Sequence, residues 1–304
     1  MNAANPFADP RLRELDPPAT PVIRPLGEAR RALARATPLF LGVGDDALER
    51  PWPWIGGGDA DVRSGFYLAL QRLEQARGAA ATARAAVVAP GPTWAAIAGA
   101  TEARWDLHGL LAPLADEVLD ADPGGGEWTV RQTLAHALAV HRRYHWFSAW
   151  WLGWRASAVV PDEAPDEVGL QLPPEEEHGS GSLEAIRRRL DALVDIGAES
   201  WRSATTDELA ARAHWSGFPV TVGFRLGRWG PHLEEHTIQV EKTLAMLDRR
   251  PREVDRMVRL LYRAFGRLET AAWALPPAAL ERGDAAEAIT DAAGEVERIA
   301  VEIA

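Results

Sequence analysis

Apolar residues recur every three or four positions along most of the chain, which is the repeat of an amphipathic helix. In one such segment Val62, Phe66, Leu70 and Leu73 share a helical face. No segment has a convincing alternating strand pattern, and the run FPVTV at 218–222 is the best candidate for a strand. The sequence therefore predicts an all-α protein, with helices over about 26–42, 60–86, 93–118, 128–152, 182–204, 252–274 and 284–303.

A further apolar stripe runs through VTVGFRLGRWGPHLEEHTIQVEKTLAML, at steps of three, four or seven residues. It includes Leu226 and Trp229 before Gly230-Pro231, and Leu233 and Val240 after them. Because the stripe continues across the Gly-Pro pair, we predict one kinked helix here rather than two helices.

The distribution of proline, glycine and charge predicts the domain organisation. Residues 1–25 are rich in proline and lack an apolar repeat, so we expect an extended N-terminal arm. A helical pair over 26–90 precedes a helical bundle over 91–250, and a second pair over 251–304 is expected to pack with the first. Within the bundle, the acidic and Pro/Gly-rich segment 156–182 is predicted to be a long loop.

Two helical segments resemble each other. DVRSGFYLALQRLEQA (61–76) aligns without gaps on TVRQTLAHALAVHRRY (129–144), and Leu68 then takes the place of His136. One interpretation is an ancient duplication, in which the outer helices form a second, degenerate bundle. The alternative is a chance likeness between two amphipathic helices.

Composition excludes several classes of function. The chain has no cysteine, so disulfides, thiolate catalysis and cysteine-based zinc sites are excluded. A net charge of −11 without a basic stripe argues against nucleic acid as a partner. No uncharged span reaches the 18 residues or so of a membrane helix, and the first residues lack the apolar core of a signal peptide, so we predict a cytoplasmic protein without a membrane partner.

Three histidines carry the candidate chemistry. His232 and His236 are four apart on the predicted helix, so both side chains project to the same side and can reach one ion. His136 lies on another helix, beside the apolar positions Leu134 and Leu138. Three inward-facing imidazoles would leave coordination positions open for water or substrate, and metal-bound water can ionise near neutral pH.

The remaining histidines receive other interpretations. His141 and His145 flank two arginines, so we expect them on a solvated face or a seam. His108 is interpreted as a core histidine and His178 as an exposed loop residue. His214 is the candidate for an extra ligand or a pocket residue.

The segments WTVRQTLAHALAVHRR and RWGPHLEEHTIQVEKTL resemble the DinB-like superfamily, which includes the YfiT-type proteins and the mycothiol-dependent maleylpyruvate isomerases. The likeness covers about 93–248, and Gln132 stands where the family often has an acidic residue. The matching residues are Trp128, Thr129, Val130, Leu134 and His136 in the first segment, and His232, His236 and Gln239 in the second.

This resemblance implies a four-helix bundle over 91–250 and a divalent ion, zinc or nickel, held by His136, His232 and His236. It further implies a thiol-dependent transferase or isomerase, or a hydrolase, acting on a small molecule, with a low-molecular-weight thiol as a possible partner. Homodimers are common in such families, so the chain is expected as a monomer or a homodimer. The alternative function is a metal- or ligand-binding stress or sensor protein without turnover.

Two further sets of residues bear on function, a possible zinc-protease pattern and a group of candidate pocket residues. His232, Glu235 and His236 also match the inverted zinc-protease pattern, in which the glutamate activates water; otherwise Glu235 is a partner that orients a ligand histidine, or a solvated residue. Candidate pocket residues are Trp128, Trp229 and Arg228, with Trp215 and Arg225 as further candidates.

Overall fold

The computed structural model describes residues 7–53, 58–85, 91–273, 275–281 and 283–304. Helices account for most of these residues, so the all-α prediction is confirmed. None of the described helices combines the length and apolar character needed to cross a bilayer. The helices are α1 (Arg24–Gly42), α2 (Val62–Ala85), α3 (Trp94–Leu111), α4 (Val130–Leu152), α5 (Asp166–Gly169), α6 (Leu183–Trp201), α7 (Thr206–Leu209), α8 (Val222–Gly227), α9 (Trp229–Met246), α10 (Glu253–Trp273), α11 (Pro277–Glu281) and α12 (Asp284–Ile303).

Two short antiparallel hairpins accompany the helices. Strands β1 (Pro51–Pro53) and β2 (Asp59–Asp61) form one, and β3 (Arg212–Trp215) and β4 (Phe218–Thr221) form the other. The second hairpin uses the strand candidate FPVTV. Its turn places Gly217 at φ 80°, a conformation that glycine adopts without steric cost.

The chain divides into two compact units. Unit 1 contains residues 1–20, 90–104 and 115–249, and unit 2 contains 21–89, 105–114 and 250–304. The domain boundaries predicted from the sequence, an arm over 1–25, a bundle over 91–250 and flanking helical pairs over 26–90 and 251–304, stay a prediction.

Unit 1 contains a bundle of α3, α4, α6 and α9. Buried Arg104 on α3 donates to Asp195 on α6 at 2.6 Å, and α4 contacts both α6 and α9. The backbones of α3 and α9 meet at two glycines: a Cβ atom added at Gly230 would lie 2.7 Å from the carbonyl carbon of Gly99. The glycine at 230 therefore allows the close packing that positions α9 in this bundle.

Unit 2 is a second four-helix bundle. Its helices contact one another in a ring, in the order α1, α12, α2 and α10. They enclose an apolar core that includes Phe40, Phe66 and Leu68. The sequence places one histidine, His108, within the residues of unit 2, so this unit cannot build a three-histidine site.

The predicted kinked helix over 220–247 is wrong. Two helices occupy the segment, α8 and α9, and the break between them falls at Arg228 rather than at Gly230-Pro231, although the backbone of Arg228 stays in the right-handed helical region at φ −78° and ψ −12°. Pro231 lies in the first turn of α9, where backbone N–H groups have no partner within the helix. A proline is tolerated there, so the Gly-Pro pair marks the beginning of a helix and not a kink within it.

Candidate metal centre

The structure brings together the three histidines that the sequence singled out. His136 extends from the second turn of α4, and His232 and His236 extend from successive turns of α9. Their potential ligand atoms, one from each side chain, all lie within 4.8 Å of one another. The start of α4 is fixed by a capping box in which Thr129 and Gln132 satisfy each other's backbone N–H groups.

The two histidines of α9 fit a shared ion. Their Nε2 atoms are 3.0 Å apart, and two nitrogens bound to one zinc ion at tetrahedral or narrower angles would lie about 3.0–3.4 Å apart. Nδ1 of His232 is buried and has no hydrogen-bond partner among the residues that the structure describes. Burial, followed by the nearby His236, lowers the pKa of His232 to about 3. The ring is therefore neutral at pH 7, which is the form that binds a metal.

The outer nitrogens of the other two rings are occupied. Nδ1 of His236 lies 2.9 Å from the side-chain oxygen of Gln239, one turn further along α9. Nδ1 of His136 lies 2.8 Å from Oε1 of Glu175. Both contacts use Nδ1, so Nε2 is the nitrogen of each ring that can face an ion. In metal sites, such hydrogen-bond partners fix the orientation and the tautomer of the imidazole.

Glu175 is the residue that sequence reasoning missed. It lies in the segment predicted as a long acidic loop, 39 residues after His136, and its second oxygen accepts from Arg143 at 2.8 Å. Among several acidic residues in that segment, no spacing or periodicity singles out this one. Only the tertiary contact does so.

Glu235 does not contact the histidines as an orienting partner. Both of its oxygens accept from Nη2 of Arg228 at 2.9 Å. The protease alternative would need a downstream acidic ligand, for which the C-terminal helices offer Glu269 and Glu287. Glu269 is fully buried in unit 2 and bonded to Arg30 and two tryptophan N–H groups. The structure therefore gives the inverted zinc-protease interpretation no support.

The candidate pocket residues have different surroundings. Trp128 is 40% exposed and its ring centroid lies 5.1 Å from that of His136, so it lies beside the histidines as expected of a pocket wall. Trp229 is instead fully buried and stacks on His145 at 4.0 Å. Arg228 lies over the ring of Trp215 at 5.7 Å.

His141 and His145 are fully buried, so of their two expected positions the solvated face is wrong and the seam between helices agrees with the structure. Gly197 makes room for His145, since a Cβ atom there would lie 1.9 Å from the imidazole. The expectation that His178 is exposed is wrong. Its side chain is buried, and its Nε2 accepts a hydrogen bond from Nε of Arg142 at 2.8 Å.

The remaining two histidines lie outside the cluster. His108 is buried, in agreement with its interpretation as a core residue. His214 lies on β3 with its ring 5.4 Å from that of Trp151, and it does not belong to the three-histidine group.

Comparison with known families supports the same region. Residues 100–240, slightly less than half of the chain, match the DinB superfamily. They contain all three histidines, Gln239 and Glu175. No curated protein and no solved structure shows a significant match to the chain.

Proposed function

We propose that His136, His232 and His236 hold a divalent metal ion, zinc or nickel, because they lie together within the residues that match the DinB superfamily. We propose further that the protein is a metal-dependent enzyme acting on a small molecule, as a thiol-dependent transferase or isomerase or as a hydrolase. The observation that carries the proposal is the convergence of three histidines from two helices within 4.8 Å.

The donor set supports a catalytic rather than a purely structural ion. Structural zinc sites are usually closed by four protein ligands, whereas catalytic sites keep three and leave a position open. Three histidines form the group found among the described residues, and His136 has 28% of its side chain exposed. When bound, such an ion acts as a Lewis acid toward a substrate oxygen or sulfur.

The surrounding side chains supply binding groups. Trp128 offers an apolar wall beside His136. Arg228 is the candidate to receive a substrate carboxylate, since a guanidinium suits that geometry. Its present partner Glu235 is 55% exposed, so substrate binding at Arg228 would exchange one carboxylate for another.

Metal analysis of the purified protein tests the proposal. We expect the wild type to bind close to one zinc or nickel ion per chain, and His136→Ala, His232→Ala and His236→Ala each to lose most of it. His214→Ala is the matched control, because it removes a histidine of unit 1 that lies outside the cluster. A wild type without metal, or ligand variants that retain it in full, would overturn the proposal.

A second measurement separates an enzyme from a binding protein without turnover. A catalytic ion must keep an exchangeable position, so added thiols or azide should change the absorption spectrum of the Co²⁺-loaded wild type. A spectrum that stays unchanged with every such ligand would contradict the enzyme proposal and favour the stress or sensor alternative.

A further inference from the structure

We propose that Glu175 is a positioning residue of the metal centre, and that the N-terminal arm holds it there through Arg142 and His178. The arm is defined here as residues 7–16. This inference rests on the proposed metal site, because it concerns the orientation of the ligand His136.

The contact between Glu175 and His136 determines how the imidazole is presented. A carboxylate only accepts hydrogen bonds, so Nδ1 of His136 must carry the proton in the 2.8 Å contact with Oε1. Nε2 is then the unprotonated nitrogen that can bind an ion. Without the contact, a neutral imidazole has two tautomers and two ring orientations, so fewer molecules present the ligand correctly.

Glu175 is itself held from two sides. Arg143, about two helical turns after His136 on α4, donates to Oε2 at 2.8 Å. On the other side, the chain around Glu175 is tied down by His178, whose Nδ1 lies 2.9 Å from the carbonyl oxygen of Pro174. The backbone next to Glu175 is therefore fixed by a buried side chain, although it belongs to a connection between helices.

His178 is in turn bonded to Arg142, which also binds the arm. Nε of Arg142 donates to Nε2 of His178 at 2.8 Å, so the proton of this histidine is on Nδ1, where the Pro174 carbonyl accepts it. The remaining guanidinium nitrogens of Arg142 donate to carbonyl oxygens of the arm. These acceptors are Leu12 at 2.7 Å, Glu14 at 2.6 Å and Leu15 at 3.0 Å.

Burying an arginine without a carboxylate partner costs free energy of folding unless its N–H groups find acceptors. Arg142 is 0% exposed, and backbone carbonyls and one imidazole accept from it. The arm also contacts α6 through residues other than Arg142. Phe7 stacks on Trp201 at 4.6 Å, and Asp16 accepts a hydrogen bond from Arg189 at 2.7 Å. The contacts therefore connect the arm to His136 through Arg142, His178 and the segment that carries Glu175.

The first experiment changes Glu175 in the full-length protein. Zn²⁺ affinity is measured by competition with a chelator, and ligand geometry by the visible spectrum of the Co²⁺-loaded protein. Loss of such a partner typically weakens metal binding 10–100-fold. We expect Glu175→Leu to show a loss of that size and a shifted Co²⁺ spectrum, and Glu175→Gln, whose amide oxygen can still accept, to show a smaller loss.

Glu177→Leu is the matched control, because Glu177 is exposed and lies in the same segment. It should bind Zn²⁺ like the wild type. Equal affinities for wild type and Glu175→Leu would overturn the positioning role while leaving the three-histidine site intact. A wild type that binds no Zn²⁺, Ni²⁺ or Co²⁺ would instead overturn the proposed function, and this inference with it.

The second experiment tests the connection to the arm. His178→Phe keeps a ring but removes both hydrogen bonds, and we expect it to weaken Zn²⁺ binding in the same direction as Glu175→Leu. Because both changes act on one contact, the double variant should lose much less than the product of the two single losses. Multiplicative losses would show that His178 does not act through Glu175.

A folding control accompanies this cycle. Circular dichroism of each variant confirms that the helices are retained, and Phe7→Leu weakens arm docking without changing Arg142 or His178. If the arm holds Glu175, Phe7→Leu also shifts the Co²⁺ spectrum toward that of Glu175→Leu. A folded Phe7→Leu protein with the wild-type spectrum would confine the positioning role to Glu175 and remove the arm from it.

Discussion

At the scale of single residues, the proposed metal centre includes side chains that contact the three histidines as well as the histidines themselves. Gln239 holds His236, and Glu175 holds His136. Gln239 follows its histidine by one helical turn, so the sequence could point to it through local spacing. Glu175 is separated from its histidine by 39 residues, and no local pattern connects the two.

Gln239→Leu should weaken metal binding without unfolding the helix, because it removes the acceptor of the His236 Nδ1 proton and replaces it with a good helix former. We expect Zn²⁺ affinity to fall by about 10-fold, measured by competition with a chelator. Gln71→Leu, at an exposed position of α2, is the control. Unchanged affinity in Gln239→Leu would mean that His236 needs no partner to bind the ion.

At the scale of elements, the site requires close approach between helices, and two glycines provide it. Gly230 allows α9 to contact α3, and Gly197 allows α6 to pack over the ring of His145 on α4. Neither glycine has a positive φ. Their importance lies in the space they leave, which the sequence alone does not reveal.

Gly197→Ala should therefore destabilise unit 1. The added methyl group would lie 1.9 Å from the His145 imidazole, and overpacking of this kind typically costs about 1–3 kcal/mol. Gly78→Ala is the matched control, since nothing lies within 4 Å of a Cβ atom there; it should stabilise helix α2 by roughly 0.5–1 kcal/mol. The check is urea unfolding of both variants, and a Gly197→Ala protein as stable as the wild type would contradict this packing.

At the scale of the whole molecule, the chain contains two helical bundles of which one concentrates the histidines. Unit 1 buries His141, His145 and His178 in addition to the site. Burial, followed by the charges of Arg104 and Arg142, lowers the pKa of His141 to about 3. Burial, followed by the charge of Arg142, lowers the pKa of His178 to about 4. The core of unit 1 therefore holds these rings in their neutral form.

This burial predicts that stability falls on mild acidification. Between pH 6.5 and about 4 the unfolded chain protonates these histidines and the folded protein does not, so the free energy of unfolding rises with pH in this window. The stabilisation is complete above pH 6.5 and is lost as the pH falls, by up to about 1.4 kcal/mol per pH unit for each such histidine.

Hydrogen exchange of the α4 amides in metal-free protein at pH 7.5 and 5.5, corrected for intrinsic rates, measures the effect. His141→Leu should show a weaker pH dependence than the wild type, whereas His214→Ala should match it. A stability of α4 that is independent of pH across this range would contradict the neutral burial of the three rings.

The helical architecture was predictable because it depends on a local repeat. An apolar residue every three or four positions determines which face of a helix is buried, so α1, α2, α4, α6, α10 and α12 follow from the sequence to within a few residues. The Gly-Pro pair at 230–231 was misinterpreted for the same reason. A continuous stripe does not reveal a helix break at Arg228.

The burial of individual polar side chains was not predictable from the sequence, because it depends on contacts with distant parts of the chain. The two arginines next to His141 and His145 indicated a solvated face or a seam, and they did not reveal that Arg142 is fully buried and bonds to the N-terminal arm. Localisation, oligomeric state and the reaction itself stay predictions.

The sequence by itself determined the helical class, the resemblance to the DinB-like superfamily and the three candidate ligands, since two of the histidines are one helical turn apart and the third lies in a motif that resembles that superfamily. Only the tertiary structure decided which residues support the ligands. It paired Glu235 with Arg228 and placed Glu175 on His136. The physical reason is that a hydrogen-bond partner is selected by distance in space, and a connection between helices can bring any of its acidic residues to that point.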